Sequence, residues 1–363
     1  MLAPLFVSRL ALRGFRNLAP LEIEPGRRFN VIAGENGAGK SNLLEAIDYV
    51  ARLESFRGAR AESLVSARET AARIEARFEG DLLPHVAKVL LSREEARKLS
   101  LDGKRPRSIA EWQATMHSVV FHPGHVELPA AAPEERRAML DRILGQIDMT
   151  YASALASYTK ALRSRNRLLK DENVDRRGIT AYDDLLASSG SVVGSTRLKL
   201  VGELAPTLVR SFEEILDEKA RLVVEYVPRV EPTFERIRAA LARSIDKDIA
   251  RGFTAEGPHA DDLVLRFDDR AAKHNASKGQ HRAMALSLKV AELAVLSQRL
   301  GKTPPLLLDD VSSELDRTKN RRFFSMISRL GGQVFLTTTH PEFILLDEER
   351  VDWRIDGGVL GNS

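Results

Sequence analysis

Residues 29–42 read FNVIAGENGAGKSN. A short apolar run is followed by Gly34 to Ser41, which fits G-x-x-x-x-G-K-[ST] at every fixed position. What comes next, SNLLEAIDYVARL, places Leu43, Leu44, Ile47 and Val50 on one face of a helix. Strand, glycine loop and helix in that order form a phosphate cradle. Gly34, Gly37 and Gly39 let backbone N–H groups turn inward around phosphate oxygens. Lys40 adds a cation at the β- and γ-phosphates, Ser41 offers a hydroxyl to Mg²⁺, and the helix N-terminus favours the anion. The expected ligand is ATP with Mg²⁺.

The surrounding chain has 363 residues, too many for one ordinary core, so two lobes are expected. Hydrophobic residues make up 43% and charged residues 29%, the balance of a soluble globular protein. A formal charge of +4 permits a nucleic-acid partner if the cations cluster. The absence of cysteine excludes disulfides, zinc–thiolate sites and cysteine nucleophiles. Without a membrane-length apolar run or a signal-like start, a cytoplasmic location and no membrane partner are expected.

Strand patterns occupy 6–12, 21–24, 29–34, AARIEARFEG, HVAKVLLS and HSVVFHP. From Pro133 the pattern turns helical through PEERRAMLDRILGQIDMTYASALASYTKALRSRNRLLKDE, about 55 Å if unbroken. A second helical run begins near Thr180, with Gly190, Gly194 and Pro206 as expected break points. Two such runs joined by one turn suggest an antiparallel arm. Strand patterns resume at 221–228, 262–267, 305–310 and 333–340. The expected architecture is therefore α/β: a mixed-sheet head at 1–130 plus 220–363, interrupted by a helical arm at 131–219.

Leu306-Leu-Leu-Asp309-Asp310 is a buried-strand pattern ending in two carboxylates. In parallel sheets the carboxyl ends of strands carry the ligand. Asp309 is expected to hold Mg²⁺ and Asp310 to polarise the attacking water. His340 ends the next strand pattern, QVFLTTTH, and is expected at the γ-phosphate. A second glycine turn, SKGQHRAMALSLKVAEL, opens a helix at Ser277. Ser277 and the Gly279 amide there make a second anion site, either in the same head or shared between two heads.

Taken in order, GENGAGKSN, SKGQ, LLLDD, SELD and TTTH resemble the ATP-binding-cassette head. That resemblance implies a homodimer sandwiching two ATPs, with Ser277 and Gly279 of one copy completing the other's site. It adds Asn36, Asn42, Gln280 and Asp316 to the expected nucleotide contacts. Further blocks, LALRGFRNLAPLEIEPG, SFRGARAESLV, VVFHPGHVEL, FTAEGPHADDLVLRF and NASKGQHRAMALSLKVAEL, are similar to the RecF family of bacterial recombination mediators. The family resemblance implies slow, DNA-stimulated ATP hydrolysis. It also implies sequence-independent binding of duplex DNA at single-strand junctions and partnership with RecR and RecO in loading RecA. Two sites depart from the RecF pattern, Gly124-His125 in place of an acidic stretch and Ala260 in place of an arginine; the acidic pair is Asp-Asp rather than the Asp-Glu of most transporters, which suits the RecF resemblance.

Expected DNA contacts are Arg57 and Arg60 after the first helix and Lys104, Arg105 and Arg107 in the turn LDGKRPR. The arm run Lys160, Arg163, Arg165, Arg167 and Lys170 reads equally as a DNA contact or a solvated face. A transporter ATPase subunit is disfavoured, because its signature turn follows the phosphate loop by about a hundred residues, less than half the gap here. Another SMC-like repair head, and a protein using ATP only to hold a dimer together, are the remaining alternatives.

Overall fold

Four apolar runs of the sequence become neighbours in one sheet of the computed structural model. It describes residues 3–80, 83–173, 175–217, 221–268, 270–311, 317–344, 346 and 348–362. Contacts divide the chain into two compact units. The first comprises 1–126, 210–218 and 278–363; the second comprises 127–209 and 219–277.

In the first unit, Phe29–Ala33, Val334–Thr338, Leu306–Leu308 and Val119–Phe121 lie side by side and parallel. All but Ala33 are buried, as expected of strands covered on both faces. Arg350–Asp356 joins them in parallel beside Phe29–Ala33, and Val359–Asn362 closes that edge antiparallel; neither strand is among the patterns expected above. A second, antiparallel sheet orders Leu21–Ile23, Phe6–Arg13, Ala71–Glu79, His85–Ser92 and Lys98–Leu101. Its alternating burial marks one covered and one solvated face.

The helix Lys40–Arg52 lies in the core between these sheets. Leu43, Leu44, Ile47 and Val50 share one cluster with Val7, Leu10, Ile74 and Val89 of the antiparallel sheet and with Val120, Leu307 and Phe335 of the parallel one. Such enclosure buries the helix's acidic residues too, so each has partners. Glu45 accepts two hydrogen bonds of 2.9 Å from Arg16, and Asp48 accepts from Arg52 and Ser118. Gln333, also buried, donates to the carbonyls of Val7 and Gly26 and accepts from the Val7 amide. It thereby satisfies the backbone where a bulge interrupts the first antiparallel strand pair.

Helices dominate the second unit. Pro133–Ile147 begins with proline at its first turn and stops at Asp148, which accepts from the Tyr151 amide and starts the next helix, Met149–Leu168. The expected single 55 Å helix is therefore two. By contrast, the run expected to break at Gly190, Gly194 and Pro206 is one helix, Asp183–Leu216. The two glycines mark close approach instead: a Cβ on Gly190 would meet the Tyr158 ring at 3.1 Å, and one on Gly194 would meet Pro232 at 2.7 Å. Pro206 costs one backbone bond, but its flanks Leu204 and Leu208 are buried and hold the helix through it. Arg165 meets Asp183, Tyr158 faces Gly190 and Tyr151 meets Arg197, so the two long helices run antiparallel as expected.

The expected arm at 131–219 differs from the observed unit at both ends: the unit begins at 127, gives up 210–218 to the head and takes in 219–277. Leu222–Val227 and Asp262–Phe267 pair in a separate three-stranded sheet, and Arg136 forks onto Asp262 at 2.7 and 2.9 Å. Residues 219–277 thus group with the helices rather than with the head.

Candidate nucleotide site

Three adjacent strands end together. Ala33 pairs with Thr338, and Leu308 pairs with Leu336, so the glycine loop, the Thr-His end and the acidic pair all leave one edge. Gly37 and Gly39 have φ of +82° and +116°, in the left-handed range that a side chain would strain. At Gly39 an added Cβ would also meet Leu18 at 2.9 Å. Lys40, only 7% exposed, folds its ammonium onto the carbonyls of Gly34 at 2.6 Å and Glu35 at 2.9 Å. Burial pushes the Lys40 ammonium below its ordinary range, offset in part by the negative charge of Asp310, Asp309 and Glu35.

Ser41 Oγ donates to Asp309 Oδ1 at 2.6 Å, and Thr337 Oγ1 donates to the same oxygen at 2.8 Å. The Asp310 amide donates to Thr337 Oγ1 at 3.0 Å, and Asp310 adopts φ +50°, which turns the chain sharply at the strand end. Aspartate is among the few residues that tolerate this conformation. Ser41 and Asp309 present hydroxyl and carboxylate oxygens, the hard donors that suit Mg²⁺.

Arg57 belongs to this site in the structure. Its guanidinium donates to Asn42 Oδ1 at 2.9 Å and lies 3.9 Å from Asp309 Oδ2 and from Glu45 Oε2. Asn42 in turn donates to Asn17 Oδ1 at 2.7 Å, and Asn17 donates to the Gly37 carbonyl at 3.1 Å. Asn17 and Thr337 were not singled out from the sequence, though both fall in quoted blocks, LALRGFRN and TTTH. Nothing local marks them, because their partners lie 20 or more positions away.

His340 is exposed and its Nδ1 lies 3.1 Å from Glu342 Oε1, with its ring against Phe343. Arg60 is exposed before the short helix Ala61–Leu64, and Lys104, Arg105 and Arg107 are exposed in the turn after Lys98–Leu101. Ser277 immediately precedes the helix Lys278–Leu300, within which Gly279 and Gln280 are half-buried. Asn36 is exposed in the loop, whereas Asp316 lies outside the described residues. Arg165 is a correction to the arm's basic run. It is fully buried, bonding Asp248 at 2.8 Å, Asp183 at 3.1 Å and Thr254 at 2.7 Å, so it is unable to face DNA.

The GPHADDL segment is an anchor of the second unit. His259 Nε2 lies 2.9 Å from the Thr254 carbonyl and its Nδ1 lies 2.6 Å from Tyr158 Oη. A carbonyl only accepts, so Nε2 carries the proton and Nδ1 accepts from the tyrosine. Burial lowers the His259 pKa and favours this neutral form. Nearby, Arg197 forks onto Asp141 at 2.8 and 2.9 Å.

The sequence profile of the RecF/RecN/SMC N-terminal domain family matches residues 6–353. A DNA replication and repair protein RecF from Anaeromyxobacter sp. (strain Fw109-5) is 36% identical, over 97% of each chain. A solved structure of the recombination mediator protein RecF with ATP, in the RecFOR pathway, has a TM-score of 0.90 at 28% identity, covering 100% of this chain and 99% of that one. An Smc head domain from Pyrococcus furiosus shares the fold at TM-score 0.58 and 17% identity, covering 99% of this chain and 96% of its own.

Proposed function

Because the chain belongs to the RecF/RecN/SMC N-terminal domain family, we propose that it is an ATP-dependent DNA-binding recombination mediator. The observation that carries this reading is the 2.6 Å bond from Ser41 to Asp309, which joins the phosphate loop to the acidic strand end. Lys40 swings from its own loop carbonyls to the β- and γ-phosphates, and the amides after Gly34 cradle their oxygens. Mg²⁺ held by Ser41 and Asp309 supplies charge neutralisation at the phosphate oxygens. Asp310 orients and deprotonates the attacking water, and Arg57 adds a cation from the loop after the first helix. His340 reaches the γ-phosphate by leaving Glu342.

Two copies pair on ATP, with Ser277, Gly279 and Gln280 of one copy facing the loop of the other. Asn36, Asn42 and Asp316 complete the nucleotide contacts. The dimer holds duplex DNA beside single-strand gaps through Arg60, Lys104, Arg105 and Arg107, works with RecR and RecO to load RecA, and hydrolyses ATP slowly with stimulation by DNA. Among the described residues no helix is long and apolar enough to cross a membrane, and the cytoplasm is the proposed location. The test is fluorescence anisotropy on a gapped duplex with and without ATP. Binding that needs ATP and is lost in Lys40→Ala supports the reading; equal binding without nucleotide contradicts it.

A further inference from the structure

The solvated face of the antiparallel sheet sorts its charges by row. Pairing sets Arg13 opposite Arg73, Arg73 opposite Leu90, and Leu90 opposite Lys98. The neighbouring row runs Glu22, Ala11, Glu75, Lys88 and Ser100. Side chains directly across from one another share a face, so each row is a line of neighbours.

The two rows are balanced differently. In the second, Glu22 accepts from Arg9 at 2.7 Å, while Glu75 meets Arg9 at 3.2 Å and Lys88 at 3.1 Å. In the first, Arg13 and Arg73 are exposed, and neither is in an ion pair among the described residues. Lys98 pairs with Glu95 of its own turn, and both side chains stay more than 60% exposed. Like charges placed directly opposite destabilise a sheet, so the Arg13–Arg73 pair costs the fold something that no ion pair among the described residues offsets. Both arginines also line a shallow groove of about 420 Å³ with Pro20, Leu21, Glu22 and Glu75, whose two carboxylates are already paired with Arg9 and Lys88.

We propose that this row is a docking strip for the backbone of duplex DNA. Three strand spacings make it about 14 Å long, and each DNA strand offers a phosphate roughly every 3.4 Å of axis. A strip of that length suits a continuous polyanion better than one small anion. Within the row Leu90 alone interrupts the charges, and both it and Leu21 of the groove are half-buried, so neither offers the large exposed apolar anchor of a protein interface. It is also separate from the nucleotide site, because Leu10, Leu12, Ile74 and Val89 bury the opposite face in the cluster that holds the loop helix. The inference rests on the DNA-binding reading above and adds a surface to it.

The experiment measures duplex binding with ATP over a range of KCl for wild type, Arg13→Ala/Arg73→Ala and Arg13→Lys/Arg73→Lys. Each lost phosphate contact removes about 0.9 from the slope of log affinity against log salt. The alanine pair is expected to shallow that slope by about 2 and weaken every duplex sequence alike, while the lysine pair keeps the slope. ATP affinity stays at the wild-type value. A wild-type slope in the alanine pair, or a parallel loss of ATP binding, overturns the proposal. If the double variant does not fold, Arg73→Thr alone is read for a slope change of about 1. Wild-type protein that binds no duplex at all contradicts the family-based reading, and the strip with it.

Discussion

Ser41 Oγ donates to Asp309 Oδ1 at 2.6 Å across 268 positions of chain. The bond is possible because the acidic strand Leu306–Leu308 is two places from the loop strand Phe29–Ala33, with Val334–Thr338 between them. Thr337 on that middle strand bonds Asp309 as well and receives the Asp310 amide. One threonine thus sets the positions of both carboxylates relative to the loop.

Lys40→Ala removes the ammonium that now rests on Gly34 and Glu35. ATP affinity is expected to fall at least about tenfold, or 1.4 kcal/mol, with thermal stability unchanged. Calorimetric titration checks it. Unchanged affinity would place the phosphates elsewhere.

Asp310→Asn keeps a residue that tolerates φ +50° and removes the carboxylate proposed as the base. ATP binding is expected to persist while hydrolysis slows by roughly 10²–10⁴-fold. Single-turnover kinetics read this directly, and a wild-type rate would take the water-activating role from Asp310.

How much of this was legible follows the range over which each signal acts. The loop at 34–42 and the LLLDD strand end are local: glycines, an apolar run and two carboxylates specify them without knowledge of the fold. Arg57 and Arg165 look alike in the sequence as exposed cations near helices. The fold turns one toward Asp309 and buries the other against Asp248, and only pairing across distant segments decides which. Gly190 and Gly194 carry the composition of a helix break, but Tyr158 and Pro232 supply contacts that make small residues useful inside a helix. Residues 219–277 read as head because they alternate like strands. Their sheet nevertheless belongs with the helical unit through bonds such as Arg136 to Asp262.

Arg165→Met leaves Asp248 and Asp183 without their buried cation. Stability is expected to drop by about 3–5 kcal/mol in urea unfolding, while the salt slope of DNA binding in the remaining folded protein stays the same. A stable variant with weakened DNA binding would return Arg165 to the list of DNA contacts.

His259 sets a pH dependence. Its folded pKa is lowered, so between that value and the ordinary 6.5 the unfolded chain binds more protons, and stability rises with pH through this window. Thermal melts should therefore lose stability as pH falls below about 6.5. In His259→Gln that loss should be smaller. An equal slope in the variant would assign the effect to other groups.

Ser277→Arg places bulk and charge at the turn before the helix Lys278–Leu300. ATP binding by the single copy is expected to survive, and ATP-dependent pairing, followed by light scattering, is expected to vanish. A dimer persisting in this variant would count against a shared site.

The most direct test of a nucleotide site shared between two copies is the steady-state ATPase rate per molecule across protein concentrations, with and without duplex DNA. A shared site gives a specific rate that climbs with concentration and rises further with DNA. A rate that stays flat down to concentrations where light scattering finds only single copies, and that ignores DNA, would contradict it.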